Sequence, residues 1–198
     1  MAELVECATL EMWYARNSIR GSNPLVSAVN NNDMPKITIR YPLVKDAKRL
    51  LEIFNNPNFI YINISAKSVA DEIRWIKARP QKRKDNHEWN YAIIYGDKII
   101  GSIGIKINQE QKFIGEIGYY VDEKYWGKGI AAQAVKLAEQ EGFKKLGLSR
   151  IEIIMCLENK ASEKVAIKNN YKKEGRMKKA IIDKHGVKWD AWLYAKVL

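Results

Sequence analysis

The 198-residue chain suits one domain with room for an appendage, and its 46% hydrophobic content, with 6 Trp and 10 Tyr, excludes global disorder. A net charge of +11 favours anionic partners, nucleic acid or a phosphorylated cofactor among them, although a lysine-rich solvated surface explains the same charge equally well. No run approaches about eighteen apolar residues and no basic segment followed by an apolar one opens the chain, so neither a membrane span nor a secretory signal is expected.

The charge is uneven along the chain. Residues 1–35 hold Glu3, Glu6, Glu11 and Asp33 against Arg16 and Arg20, a net of −2, which leaves +13 on the remainder. The polar run 27–35 (SAVNNNDMP) reads as a linker. Residues 1–35 are therefore expected to be an N-terminal extension and linker, and residues 36–198 the main domain. Two cysteines, Cys7 and Cys156, are too few for a disulfide framework and fit free thiols in a cytoplasmic protein, with Cys156 a packing residue in an apolar run.

Lys36–Tyr41 alternates as a strand that Pro42 ends. Lys45–Asn55 carries Leu50, Leu51 and Phe54 at helical spacing, and a second helix is expected from an N-cap at Ser65 to about Arg79, with Val69, Ile73 and Ile76 on its inner face. Pro80–Asn86 reads as a charged loop. Trp89–Tyr95 and Lys98–Ile107 are expected to pair across a tight Gly96-Asp97 turn, and Phe113–Val121 to pair next. A long amphipathic helix should run from about Gly129 to Leu146 with Ile130, Ala131, Ala134, Val135, Ala138 and Phe143 inward. Ser149–Leu157 is an apolar strand suited to a sheet centre, Lys160–Asn169 a short helix, and Tyr171–Ile182 and Lys188–Val197 a closing pair of strands. This order predicts an α/β (mixed α+β) fold, a mixed sheet with helices on its faces.

The chemistry concentrates in 115–143, GEIGYYVDEKYWGKGIAAQAVKLAEQEGF. A strand ends near Val121, a short acidic turn follows, and Trp126-Gly127-Lys128-Gly129-Ile130-Ala131 opens a helix. Glycines let the backbone approach a ligand, exposed N–H groups at the helix start favour an anion, and Ala131 and Ala132 leave room for a pyrophosphate. The same residues would also make an ordinary tight turn. The third glycine of a dinucleotide fingerprint is missing, and no Gly-Lys-Ser/Thr of a P-loop follows.

The segment resembles motif A of the GNAT superfamily of N-acyltransferases, Gln/Arg-x-x-Gly-x-Gly/Ala, with Trp126, Gly129 and Ala131 at the three marked positions. Trp126 departs from Gln/Arg, but aromatic-Trp-Gly-Lys-Gly is the form of the branch that contains ribosomal-protein N-terminal acetyltransferases and their small-amine relatives. Asn159-Lys160-Ala161-Ser162 resembles the family's Asn-x-x-Ser element, and Asn170-Tyr171 stands where the family has Gly-Phe. Asn is the usual substitute for Gly in a left-handed helix cap. The resemblance covers about residues 36–198 and implies a central twisted mixed sheet of about seven strands flanked by about four helices.

The resemblance further implies acetyl-CoA as acyl donor, with no metal, lying where Phe113–Val121 and Ser149–Leu157 splay apart. The residues implied to hold it are Tyr119, Tyr120, Val121, Trp126, Gly127, Lys128, Gly129, Ile130, Ala131, Ala132, Asn159 and Ser162. The backbone of Tyr119, Tyr120 and Val121 would pair with pantetheine, one N–H polarising the thioester carbonyl. Glu116 stands where the branch has its general base; its plain alternative is a strand carboxylate paired with a lysine. The relatives' general acid, a Tyr seven residues after the Asn, is Ala166 here, which leaves Ser162, water, or no acid at all, since a CoA thiol is a fair leaving group. Asn159 and Ser162 would also serve as simple helix caps, and Tyr171 is expected in the core.

An amine acceptor follows. A protein or peptide alpha-amino group is preferred, a small amine such as a polyamine or antibiotic is the alternative, and non-catalytic acyl-CoA binding is a third reading. Nucleic-acid binding has charge alone behind it, without a basic-aromatic motif. The histidines His87 and His185 carry no metal or triad spacing. Trp189, Trp192 and Tyr194 on the last strand leave a homodimer open.

Overall fold

A computed structural model describes residues 36–61, 66–183 and 185–198. The expectations for residues 1–35, Cys7 included, and for Ser65 as a helix cap lie outside the described residues.

Among these residues seven strands, Ile37–Arg40 (β1), Glu88–Tyr95 (β2), Lys98–Ile107 (β3), Ile114–Val121 (β4), Arg150–Cys156 (β5), Lys172–Ile182 (β6) and Lys188–Val197 (β7), form one sheet in the order β1-β2-β3-β4-β5-β7-β6. All neighbours run antiparallel except β4 and β5. Four α-helices, Ala47–Phe54 (α1), Val69–Lys84 (α2), Ile130–Glu139 (α3) and Lys160–Lys168 (α4), cover it. The chain connects the parallel pair through α3, as a parallel crossover requires.

The period-two pattern of the strands decides the faces. Ile103, Ile105, Ile107, Ile117, Ile151 and Ile153 turn to the α3 side and form the main core with Ile130, Ala134, Val135 and Ala138. A smaller cluster of Ala47, Leu50 and Ile76 seats α1 and α2 on the other face. The β2–β3 hairpin turns at Gly96, whose φ of 56° is the left-handed conformation such a two-residue turn needs. Tyr171 is in the core, as expected, and Cys156 is buried with its thiol pushed up to about 11 by burial, a packing cysteine.

Two expectations need correction. The segment from Pro80 is not a loop: α2 runs through Pro80 to Lys84. Residues 81–84 (QKRK) favour helix, and the stop comes at Asn86, whose φ of 52° lets the His87 N–H reach the Lys82 carbonyl at 2.8 Å and the Asn86 N–H reach Arg83 at 3.0 Å. The helix begins on Ser68, whose hydroxyl accepts the Asp71 N–H at 3.2 Å. Ile73 and Ile76 face inward as expected, but Val69 is exposed and the charged Glu72 and Arg79 are buried on the inner line. Hydrophobic periodicity assigns charges outward; here Arg79 turns inward because Glu88 and Asn90 of β2 receive its guanidinium and Trp75 stacks on it at 4.5 Å. The helix from Gly129 keeps its expected extent: its α-helical part, α3, ends at Glu139, and a π-helical turn, Gln140–Lys145, carries it to Leu146.

The short helix α4 is held by one carboxylate. Glu163 accepts from Lys173 at 2.8 Å, from the Tyr194 hydroxyl at 2.7 Å and from Lys160 at 3.0 Å, which ties α4 to β6 and β7. Lys173, then Tyr194 and Lys160, bring its carboxyl down from 4.5 to about 2. A folded value below the unfolded one gives stability that is complete above about 4.5 and is lost as pH falls toward about 2. Thermal melts between pH 7 and pH 2 should show this acid limb in the native chain and a shallower one in Glu163→Gln; equal limbs would contradict the role.

Candidate active site

Beyond β4 the chain makes a pinned turn. The Asp122 carboxylate caps it by accepting the Lys124 N–H at 3.1 Å and pairs with Arg49 of α1. Glu123 accepts from Asn56 at 2.7 Å and Asn58 at 2.9 Å. The Trp126 indole N–H donates to the Val121 carbonyl at 2.6 Å, and its ring meets Phe59 with centroids 5.7 Å apart. Gly127 and Gly129 then take φ of 74° and 73°, which a β-carbon would disfavour by about 1–2 kcal/mol. Gly129 caps α3 with backbone alone: its carbonyl accepts the Gln133 N–H at 3.1 Å, and no side chain caps the helix. The N–H groups of Ile130, Ala131 and Ala132 have no hydrogen-bond partner among the described residues. Three free donors at the positive end of a helix form an anion site. Lys128 lies beside it, its ammonium on the Lys124 carbonyl at 3.1 Å and 5.3 Å from the Tyr125 ring centroid.

Strands β4 and β5 pair only at Ile114–Arg150, Gly115–Ile151 and Glu116–Glu152, and then diverge. On its other side β4 stays paired with β3 up to Val121. The Asp122 N–H reaches Ile100 of β3, while the Phe113 carbonyl accepts from Ser149 on the β5 side. By strand alternation, odd-numbered residues of β4 therefore aim their backbone groups at β5. Past the divergence those of Tyr119 and Val121 face an open gap, with the Val121 carbonyl already taken by Trp126. The gap is part of a cleft of about 980 Å³ that Tyr119, Tyr120, Asn159 and Ser162 line together with Glu116. The predicted residues thus fall into two groups, the backbone edge with Asn159 and Ser162 along the cleft, and 126–132 at the helix start.

Within the cleft the Tyr119 and Ser162 hydroxyls hydrogen-bond at 2.8 Å, and burial pushes the Tyr119 phenol up to about 12. Asn159 caps α4 by accepting the Ser162 N–H at 3.0 Å. Asn170 ends α4 with φ of 63°, so it acts as the left-handed cap expected in place of glycine. Ala166 is fully buried one turn beyond Ser162. Glu116 makes no hydrogen bond or ion pair with any described residue, and the lysine opposite it on β3, Lys106, acts on it without a salt bridge. It opens to water through the cleft, yet protein surrounds it closely enough that lost hydration raises its carboxyl above the ordinary range. Lys106, its partner on β3, opposes that shift and Glu152 adds to it.

Residues 36–172 match the family model of the acetyltransferase (GNAT) domain. The chain belongs to the GNAT acetyltransferases. It is 27% identical over 162 residues to the ribosomal-protein-serine acetyltransferase of Escherichia coli, covering 80% of this chain and 85% of that protein. An uncharacterized N-acetyltransferase, p20 of Bacillus licheniformis, is 28% identical over 148 residues, covering 72% and 83%. The crystal structure of the microcin C7 self-immunity acetyltransferase MccE, in complex with acetyl-CoA and AMP, superposes with a TM-score of 0.73 at 29% identity, covering 84% of this chain and 94% of that one. The chain is accordingly an acetyl-CoA-dependent N-acetyltransferase of the GNAT fold. Among its described residues no helix is long and apolar enough to cross a membrane, and no group of three His, Cys, Asp or Glu is placed to hold a metal.

The opposite half of this GNAT cleft holds residues that sequence reasoning missed. Phe54 and Trp75 line it, as does Glu72, which reads in sequence as an ordinary first-turn acid of α2. Its floor is bare because Gly118 of β4 pairs with Gly104 of β3, and a β-carbon on Gly118 would meet nothing within 4 Å. Gly118→Val should therefore fold normally and project into the cleft between Glu116 and Tyr120. Acceptor kcat/KM should fall at least about tenfold, about 1.4 kcal/mol, with an unchanged melting temperature. Unimpaired turnover would show that the acceptor does not cross this floor.

Proposed function

We propose that the chain acetylates an alpha-amino group of a protein or peptide by direct attack in a ternary complex, with residues 36–198 as the transferase domain. The observation that carries this reading is the β4–β5 splay, which opens between a helix start whose N–H groups are free among the described residues and a glutamate without a salt bridge to any of them. The pyrophosphate of acetyl-CoA lies on the N–H groups of Ile130, Ala131 and Ala132 behind Gly127, Lys128 and Gly129, with Trp126 bracing the turn. The pantetheine arm extends along the edge of β4, bordered by Asn159 and Ser162. The Tyr119 N–H donates to the thioester carbonyl, where negative charge develops.

A peptide alpha-amino group, with pKa of about 8, is mostly protonated at neutral pH, so a proton acceptor is needed. Glu116 takes that proton directly or through one water. The amine nitrogen then bonds to the carbonyl carbon and gives up its second proton to water, the C–S bond breaks, and the thiolate takes a proton from water, directly or through the Ser162 hydroxyl, which water reprotonates. No acyl-enzyme forms, and Ser162 replaces the acid that Ala166 does not supply.

The relation to a ribosomal-protein-serine acetyltransferase supports a protein amine as acceptor. The likeness to an acetyltransferase crystallised with AMP supports a small amine as second reading. Thiol release from acetyl-CoA over a panel of N-terminal peptides and small amines decides between them. Turnover of peptides is the expected result, turnover of small amines alone establishes the second reading, and acetyl-CoA binding without release on any acceptor would overturn both.

A further inference from the structure

Resting on that reading of the cleft, a second carboxylate bears on which amines it takes. Glu72 is only 7% exposed, yet its side chain lines the cleft and forms no hydrogen bond or ion pair with any described residue. Burial raises its carboxyl above the ordinary range. Of the cations around it, Arg79 offsets it at a distance but is bound to Glu88 and Asn90, Arg74 turns to Asp71 at 3.3 Å, Lys106 faces Glu116, and Lys67 lines the cleft from the exposed surface. Glu72 acts on Tyr120, whose ring meets Phe54 edge-on at 5.7 Å. A carboxylate withdrawn from water without a partner is unfavourable, and a docking cation relieves it. Aromatic faces beside it add to the attraction for a cation.

Glu116 lies four residues before Tyr120 on the same face of β4, which is roughly 13 Å of strand. The floor between them is the bare Gly118–Gly104 pair. The cleft therefore presents two carboxylates without a salt bridge to any described residue, one toward each end of an open floor, where one reacting amine needs only one. We infer that Glu72 receives a second positive charge on the acceptor, so that preferred acceptors carry an ammonium or guanidinium group besides the reacting amine. That group belongs either to a basic side chain near a peptide N-terminus or to the far end of a diamine.

The test compares matched acceptors by thiol release: a peptide beginning Ser-Lys against one beginning Ser-norleucine, and a diamine against a monoamine of equal length. In the native chain the doubly charged member should have kcat/KM higher by about tenfold, mainly through KM. In Glu72→Gln that ratio should collapse toward one, with acetyl-CoA affinity by calorimetry within about twofold of native and a melting temperature no lower. Which pair shows the preference identifies the source of the second charge. A native chain without preference, or a variant that retains it, overturns the inference while leaving acetyl transfer intact. A variant that melts lower with its preference unchanged makes Glu72 structural and overturns it too. Should no acceptor be turned over, the transfer reading fails; calorimetric titration of the Ser-Lys peptide into the CoA-loaded protein then decides, since binding that Glu72→Gln abolishes supports the inference and no binding overturns it.

Discussion

Glu116→Gln should lower kcat by about 100-fold at neutral pH, about 2.7 kcal/mol in barrier height, with acetyl-CoA binding unchanged. The substitution keeps the shape of the side chain and removes only its capacity to take a proton. The electrostatics predict the pH profile as well. Enclosure in the cleft raises the Glu116 carboxyl above 4.5, with Lys106 opposing and Glu152 adding. A base works only when deprotonated, so the native rate should rise with pH through that elevated value. The acid limb of kcat/KM should therefore lie above the ordinary glutamate range and disappear in Glu116→Gln. A Gln variant that keeps both the native rate and the limb would remove Glu116 from the proton path.

Gly129→Val should raise the Kd for acetyl-CoA at least about tenfold, a loss of about 1.4 kcal/mol. At φ of 73° a β-branched side chain is a genuine outlier, so the cap must rotate and carry with it the N–H groups of Ile130, Ala131 and Ala132. Gly147 is a useful control. Its φ of 69° is as demanding, but it follows the π-helical turn at the far end of α3. Gly147→Val should lower the melting temperature by a similar amount and leave acetyl-CoA affinity near native. Equal losses of affinity in both variants would mean that the phosphate turn matters only through stability.

Much of this site was legible before any coordinates. Strand–turn–Gly-x-Gly–helix is a local pattern, and the free N–H groups of Ile130, Ala131 and Ala132 follow from a cap without a side chain. The splay of β4 and β5 followed from the family resemblance rather than from the residues, because divergence of two strands far apart in sequence leaves no local signal. The Tyr119–Ser162 hydrogen bond is of the same kind, a contact across 43 positions. The misread parts share a physical cause. Pro80 reads as a helix stop, but it removes only one donor and the helix continues toward the left-handed Asn86. Glu72 and Arg79 sit on the inner line of α2, where apolar periodicity assigns no charge, because one serves an ion pair and the other faces a cleft. Residues with function or with buried partners are those for which a hydrophobic pattern fails.

Amide hydrogen exchange on the full chain, with and without acetyl-CoA, tests most directly whether the ligand lies between β4 and β5 as an added strand. Binding should slow exchange at Tyr119, which faces the gap, and at Ile130, Ala131 and Ala132, while Tyr120, already turned toward β3, changes little. Bound acetyl-CoA that leaves Tyr119 and the start of α3 unprotected would contradict this placement of the donor.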